Sequence, residues 1–348
     1  MTVLRAGNNA LTFKVFPMAG LTLIELLISI LLGALLSLAV SSVYLGSVRH
    51  FMVENEMSRL QENGRFSLNL LRRELSQAGF LAGVHVIKNP PSQPVSSDCV
   101  SSGNWALDTR TPLDLINNAS KTLSAPLVTI SGAVLNCLNS YDLVKGSDVL
   151  AVKRTAGGYS VKNGVYSGGA RARNGQWYLR VDNQSNSYSW INSKSRGFPA
   201  ADIAANSGVD YWAYFARIFY LRNYSHTPAD GIPTLCIESL SGGVGLGSMR
   251  SQCVIEGVED MQIEFGLDTN FDNSPDVFTD APLESEFANL VVARIYLLMR
   301  STVEVPGAAR ERIYEMGGKK VVRRDRYLRR LVSSTVPLSN IRLAMSQR

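Results

Sequence analysis

From Leu26 to Val48 the chain carries 23 consecutive residues without a charge, bounded by Glu25 and Arg49. As a helix rising about 1.5 Å per residue, this run reaches roughly 35 Å, enough to cross a bilayer core of about 30 Å. Ahead of it, residues 1–20 include Arg5 and Lys14 and no acid. The positive-inside bias therefore holds the N-terminal side in the cytoplasm and directs the remainder outward. Everything after the run is expected to fold outside the cytoplasm.

With 45% hydrophobic and 18% charged residues over 348 positions, that remainder is globular rather than disordered. A formal charge of +6 permits contact with anionic headgroups, acidic partners or nucleic acid and selects none of them. The cysteines Cys99, Cys137, Cys236 and Cys253 show no CxxC spacing, which argues against a zinc site or a thioredoxin-type motif. Two disulfides in an oxidising compartment are expected. Cys236 and Cys253 lie closest in sequence and bracket a glycine-rich stretch, where a bridge would contribute about 3 kcal/mol. Cys99 with Cys137 is then the remaining pair, although the sequence alone leaves the connectivity open.

An ordinary secretory signal places its small-residue cleavage site after the apolar region. Here Gly20 stands immediately before it, in Gly20-Leu-Thr-Leu-Ile-Glu25. This order resembles the type IV prepilin family, with Leu21 where phenylalanine is commonest. The segment from Leu60 to Phe80, which includes Glu-Asn-Gly-Arg-Phe and Leu-Leu-Arg-Arg-Glu-Leu, resembles the PilW group of minor pilins. Weaker echoes lie from Gly257 to Asp276 and in the Arg-rich C-terminal run.

The resemblance implies a leader over 1–20, cut by a prepilin peptidase between Gly20 and Leu21, with methylation of the new Leu21 amine. Glycine at the scissile bond fits that chemistry, because no Cβ obstructs the peptidase. Glu25 would pair with the N-terminal amine of a neighbouring subunit, a contact worth most where water is scarce. The fold implied is α+β: a transmembrane and assembly helix over 21–48, its amphipathic continuation over 49–79, and a β-rich periplasmic head over 80–348. The function implied is that of a minor pilin which helps initiate a type IV pilus and joins it, in twitching motility, adhesion or DNA uptake. Its partners would be other minor and major pilins and the inner-membrane assembly machinery. A pseudopilin of type II secretion is the alternative within the same class; a membrane-anchored periplasmic enzyme or ligand-binding module is the alternative outside it.

No proline interrupts residues 21–78, and Met57, Leu60, Phe66, Leu70, Leu71 and Leu75 recur at helical spacing. One helix ending near Gly79 is predicted, with this stripe packed on the head. Strands are predicted at Leu127–Ile130, Val149–Lys153, Trp177–Val181, Tyr211–Leu221, Ile255–Phe265, Leu290–Met299 and Tyr327–Val332. Loops are predicted at Asn183–Arg196 and Ser241–Ser251, and an irregular insertion at Ser92–Ser124.

Asp268, Asn270, Asp272 and Asp276 occupy positions 1, 3, 5 and 9 of an EF-hand-like loop, chemistry suited to calcium, but Asn273 and Thr279 replace the expected glycine and glutamate. An Asx-rich turn is the alternative. Lys319, Lys320, Arg323, Arg324, Arg326, Arg329 and Arg330 form a basic run suited either to nucleic acid or to a solvated strand face. His50, His85 and His226 sit in no nucleophile or metal motif, and HExxH, GxSxG and SxxK are absent, so catalysis and an obligate cofactor are not expected.

Overall fold

The computed structural model describes residues 20, 22–84, 95, 97–100, 105–119, 127–169, 172–193, 197–242, 247–305 and 310–345. The chain divides into two compact units, Met1–Met52 and Val53–Arg348. Helix α1 (Leu23–Ser76) extends from the first into the second, and 54 residues at helical rise make it about 80 Å long. It stops at a turn through Gly79, whose φ of +79° is the left-handed conformation that favours glycine. The Gly79 amide donates 3.1 Å to the Lys153 carbonyl, tying the helix end to the head.

The head contains a nine-stranded antiparallel sheet: β1 (Leu113–Ile116), β2 (Val149–Thr155), β3 (Val161–Lys162), β4 (Val165–Tyr166), β5 (Trp177–Asp182), β6 (Ser187–Asn192), β7 (Val209–Arg222), β8 (Thr234–Ser241) and β9 (Ser248–Glu256). The 14-residue β7 is its spine, pairing β5 through its first half and both β2 and β8 through its second. A second sheet holds β10 (Val258–Leu267), β11 (Val277–Thr279) and β12 (Leu290–Arg300). A hairpin of β13 (Arg310–Met316) and β14 (Lys319–Asp325) follows, then β15 (Arg329–Pro337), which completes the second sheet beside β12, and α2 (Ser339–Met345).

The first sheet is covered on both faces, which is why every residue of β2 is buried. Leu150, Val152, Phe219 and Leu221 point to one side and join Leu60, Leu71 and Leu75 of α1 with Met261, Ile263, Ile295 and Leu297 of the second sheet. At about 1.5–3 kcal/mol per fully buried side chain, the three leucines alone make a large contribution to docking this part of the helix. Ala151, Ile218 and Tyr220 point to the other side and pack with Val95, Trp105, Leu107, Leu135 and Leu138. Gly64 lets the helix come close: a Cβ there would lie 3.1 Å from Met299 Cγ and 3.3 Å from Val332 Cγ2.

Several sequence expectations change. Phe66 is 57% exposed, so it leaves the core stripe. The polar stretch Asn183–Arg196 contains β6, a strand whose residues are mostly only half buried and so need no apolar alternation. The expected strand Ile255–Phe265 is broken at Gly257, φ +79°, into the end of β9 and the start of β10. Leu127–Ile130 forms only an isolated bridge, Val128 to Val134. Within Ser92–Ser124, a short 3-10 turn at Trp105–Leu107 and strand β1 replace part of the expected irregular segment, because Leu113–Ile116 pairs with β2. The last predicted strand moves outward to Arg329–Pro337.

Two buried cations organise the interior. Glu74, 1% exposed, accepts two bonds of 2.8 Å from Arg154 on β2 and one of 2.6 Å from Arg217 on β7. Lys153, also 1% exposed, donates 2.8 Å to the Asp108 carbonyl and lies 4.4 Å above the Trp105 ring. Burial pushes its ammonium down to about 8 against the pull of Asp108, Asp114 and Asp98.

Glu74→Gln removes the carboxylate bound to both arginines and is expected to cost about 3–5 kcal/mol, read from urea unfolding of the detergent-solubilised chain. Arg217→Met should cost less, since Glu74 keeps its two bonds to Arg154. Because the unfolded lysine titrates near 10.4, the folded chain gives up the Lys153 proton first. Stability should then rise with pH from about 8 to 10, by up to about 3 kcal/mol. In Lys153→Met this component of the slope should vanish.

Candidate functional site

The first turn of α1 is closed by a reciprocal cap. Thr22 precedes the helix and Glu25 occupies its third position. The Glu25 amide donates 3.4 Å to Thr22 Oγ1, and the Thr22 amide donates 3.4 Å to Glu25 Oε2. This is a capping box, and it sets the carboxylate at the positive end of the helix dipole. The Thr-Leu-Ile-Glu spacing carries that signal, which the reading of Glu25 as an assembly residue passed over. Gly20 is exposed, with nothing within 4 Å of where a Cβ would stand. Leu21, residues 1–19 and His85 lie outside the described residues.

Beyond the cap, the helix presents apolar side chains around its circumference. Its most apolar window has a mean hydropathy of 2.6 and none of it is buried; Leu36 is 67% and Leu38 69% exposed. Four of the five serines within this run satisfy themselves. Ser29 Oγ donates 2.7 Å to the Glu25 carbonyl, Ser37 Oγ 2.8 Å to Gly33, Ser42 Oγ 2.8 Å to Ala39 and Ser47 Oγ 3.0 Å to Val43. Such back-bonding hides each hydroxyl from an apolar medium that offers no partner. Around Gly33 and Gly46 no atom lies within 4 Å of a would-be Cβ, leaving notches where another helix backbone can approach. The surface is suited to hydrocarbon or to other apolar helices.

The cysteines pair as Cys99–Cys137 and Cys236–Cys253. The four residues weighed as calcium ligands share one loop, but their oxygens face the loop's own donors. Asp268 accepts the Asp272 and Asn273 amides at 3.1 and 2.9 Å, and Asp272 accepts the Ser274 amide at 2.7 Å. Asn270 Oδ1 accepts the Asp272 amide at 3.0 Å. Asp276 accepts the hydroxyl and amide of Thr269 at 2.7 and 2.8 Å, bonds that hold its carboxyl below the usual range. Arg342 stands 3.3 Å from Asp268, where a cation would meet like charge. Among the described residues no group of three or more His, Cys, Asp or Glu converges as metal ligands. The loop's hydrogen bonds are those of an Asx-rich turn.

Most of the basic run is committed to acids. Lys319 pairs with Asp260 at 2.8 Å, Lys320 with Glu315 at 3.0 Å and Arg323 with Glu259 at 3.0 Å; Arg329 pairs with Asp325 at 2.6 Å and also with Glu259. Such pairing leaves little of the positive field that phosphate binding needs.

Leu36→Arg should weaken membrane insertion by about 3 kcal/mol while leaving the unfolding midpoint of the head unchanged. The share of chain sedimenting with membranes, set beside its urea curve, measures both.

Comparison with known proteins adds one match. No curated protein and no solved structure matches the chain. Residues 218–340 match the family model described as Type IV Pilus-assembly protein W, a span from the second half of β7 into α2 that takes in the whole second sheet and the hairpin. It includes the Gly257–Asp276 and Arg-rich segments and leaves out α1. The match supports a type IV pilus-related protein.

Proposed function

We propose that the chain is a minor pilin, anchored in the inner membrane by α1 with its head in the periplasm, which helps initiate a type IV pilus and is incorporated into it. The family match over residues 218–340 carries this reading. The exposed apolar helix supports it independently, because a surface of that length needs either lipid or the helices of other subunits to cover it. In this reading a prepilin peptidase cuts between Gly20 and Leu21, and the Leu21 amine is methylated. Glu25 then has two partners at different stages: Thr22 within the chain, and the amine of a neighbouring subunit in the filament. The partners are other pilins and the assembly machinery, and the work is association rather than turnover.

Co-expression with a prepilin peptidase, followed by intact-mass measurement and N-terminal sequencing, tests the reading. The mature chain should begin at N-methylated Leu21, and Gly20→Trp should keep its leader. Glu25→Val should be cut but depleted from sheared filaments. An uncut wild-type terminus, or a cut beyond Val40, would overturn the proposal.

A further inference from the structure

Among the described strands β9 pairs with β8 alone, so beyond its contact with Ser97 its other edge carries no strand among the described residues. Met249 turns its amide away from β8, to the Ser97 carbonyl at 3.0 Å, and Ser97 lies in a parallel bridge with Ser248. Alternate residues of an antiparallel strand direct their backbone groups to the same side. The ladder runs without a shift from Met249 to Cys253, so the amides and carbonyls of Ser251 and Cys253 point to that open edge as well. At the far end, Asn63 Nδ2 of α1 donates 3.1 Å to the Glu256 carbonyl. Between Ser97 and Asn63 the edge faces a cavity of about 670 Å³, lined on its far side by α1 residues Arg59, Leu60 and Phe66.

The same cavity receives Arg222 and Arg300. Its two acids are already partnered by residues of the same cavity wall: Glu56 lies 3.5 Å from Arg59, and Glu256 accepts the Ser225 hydroxyl and lies 3.4 Å from His226. Arg222 and Arg300 form no ion pair among the described residues. Their guanidiniums are nonetheless held in place. Arg222 donates to the Tyr224 and Ser225 carbonyls and stacks 4.1 Å from the Tyr224 ring. Arg300 donates to the Gly231 carbonyl and stacks 4.4 Å from the Tyr327 ring. Arg300 Nε is buried without a hydrogen bond among the described residues. Glu259 and Asp325 act on Arg300 only from beyond ion-pair distance; two arginines fixed by stacking and backbone acceptors, and in direct contact with no carboxylate among the described residues, are organised for an acidic ligand in advance of binding. The Cys236–Cys253 disulfide staples the strand that carries the open edge.

We propose that this groove binds an extended peptide segment that adds alongside β9 through backbone hydrogen bonds and places an Asp or Glu carboxylate against Arg222 and Arg300. The exposed Phe66 and the half-exposed Val254, 57% and 37%, border the groove and take up apolar side chains of the incoming strand. Strand addition supplies affinity and the arginines supply selection. The groove lies wholly after Val53 and requires no filament, so it stands or falls apart from the pilin reading.

The test is selection of short peptides from a random displayed library on the full chain in detergent micelles. Enriched peptides should carry an acid flanked by β-branched residues. A synthetic copy should lose about tenfold or more in affinity when its acid is replaced by the amide, as for one charge-assisted bond. It should lose as much on Arg222→Gln or Arg300→Gln chains whose urea midpoints match wild type, and N-methylation of alternate peptide amides should abolish binding. No enrichment, acid-free winners, or equal binding to the arginine variants would overturn the proposal. So would indifference to backbone methylation.

Discussion

The head is organised around Glu74. This carboxylate, near the end of α1, is removed from water and held by two arginines on adjacent strands of the first sheet. A buried ion pair contributes little net stability, yet breaking one leaves a charge with nowhere to go. Its consequence is therefore geometric. The bidentate contact to Arg154 fixes the helix end over β2, and the single bond to Arg217 fixes it over β7. A slip of the helix by one residue would break three charge-assisted bonds at once. Phe215 lies near both guanidiniums, 4.8 Å from Arg154 and 4.6 Å from Arg217, and shields the cluster further.

With that end fixed, the rest of the packing follows. Leu60, Leu71 and Leu75 repeat at helical spacing and are carried into the layer between the two sheets. Gly64 sits between them where Met299 and Val332 come closest. The first sheet, covered here by the helix and opposite by a layer that includes Trp105, Leu107, Leu135 and Leu138, can support strands apolar on both faces, a pattern rarer in antiparallel sheets than one-sided alternation. The second sheet and the hairpin lie within the residues that match the pilus-assembly family. In that region acids on β10 and at the end of β14 absorb the basic run.

Among the described residues nothing of this kind covers the apolar part of α1. Four of its serines are bonded to its own backbone and its first turn is capped by its own threonine and glutamate, while its apolar side chains remain exposed. Such a surface is suited to a medium without hydrogen-bond partners. One glutamate both begins the helix and remains able to accept a further donor.

The apolar helix, its extent and most long strands were legible in the sequence, because periodicity and the absence of charge or proline act locally. The same holds for Gly79 as a stop, where a positive φ requires a residue without a Cβ. The Thr22–Glu25 box was equally local and was overlooked. Contacts across the chain were not legible. Glu74 reads as one more charge on an amphipathic helix until Arg154 and Arg217 close on it from 80 and 143 residues away. The cysteine connectivity, the loss of Phe66 from the core and the neutralisation of the basic run share that origin. The open edge of β9 and its two arginines are likewise assembled from four separate segments. Sequence determined which segments form helix and strand and that one of them must meet an apolar medium; only the tertiary structure decided which buried charges meet and which edge stays open, because those depend on distances between residues remote in the chain.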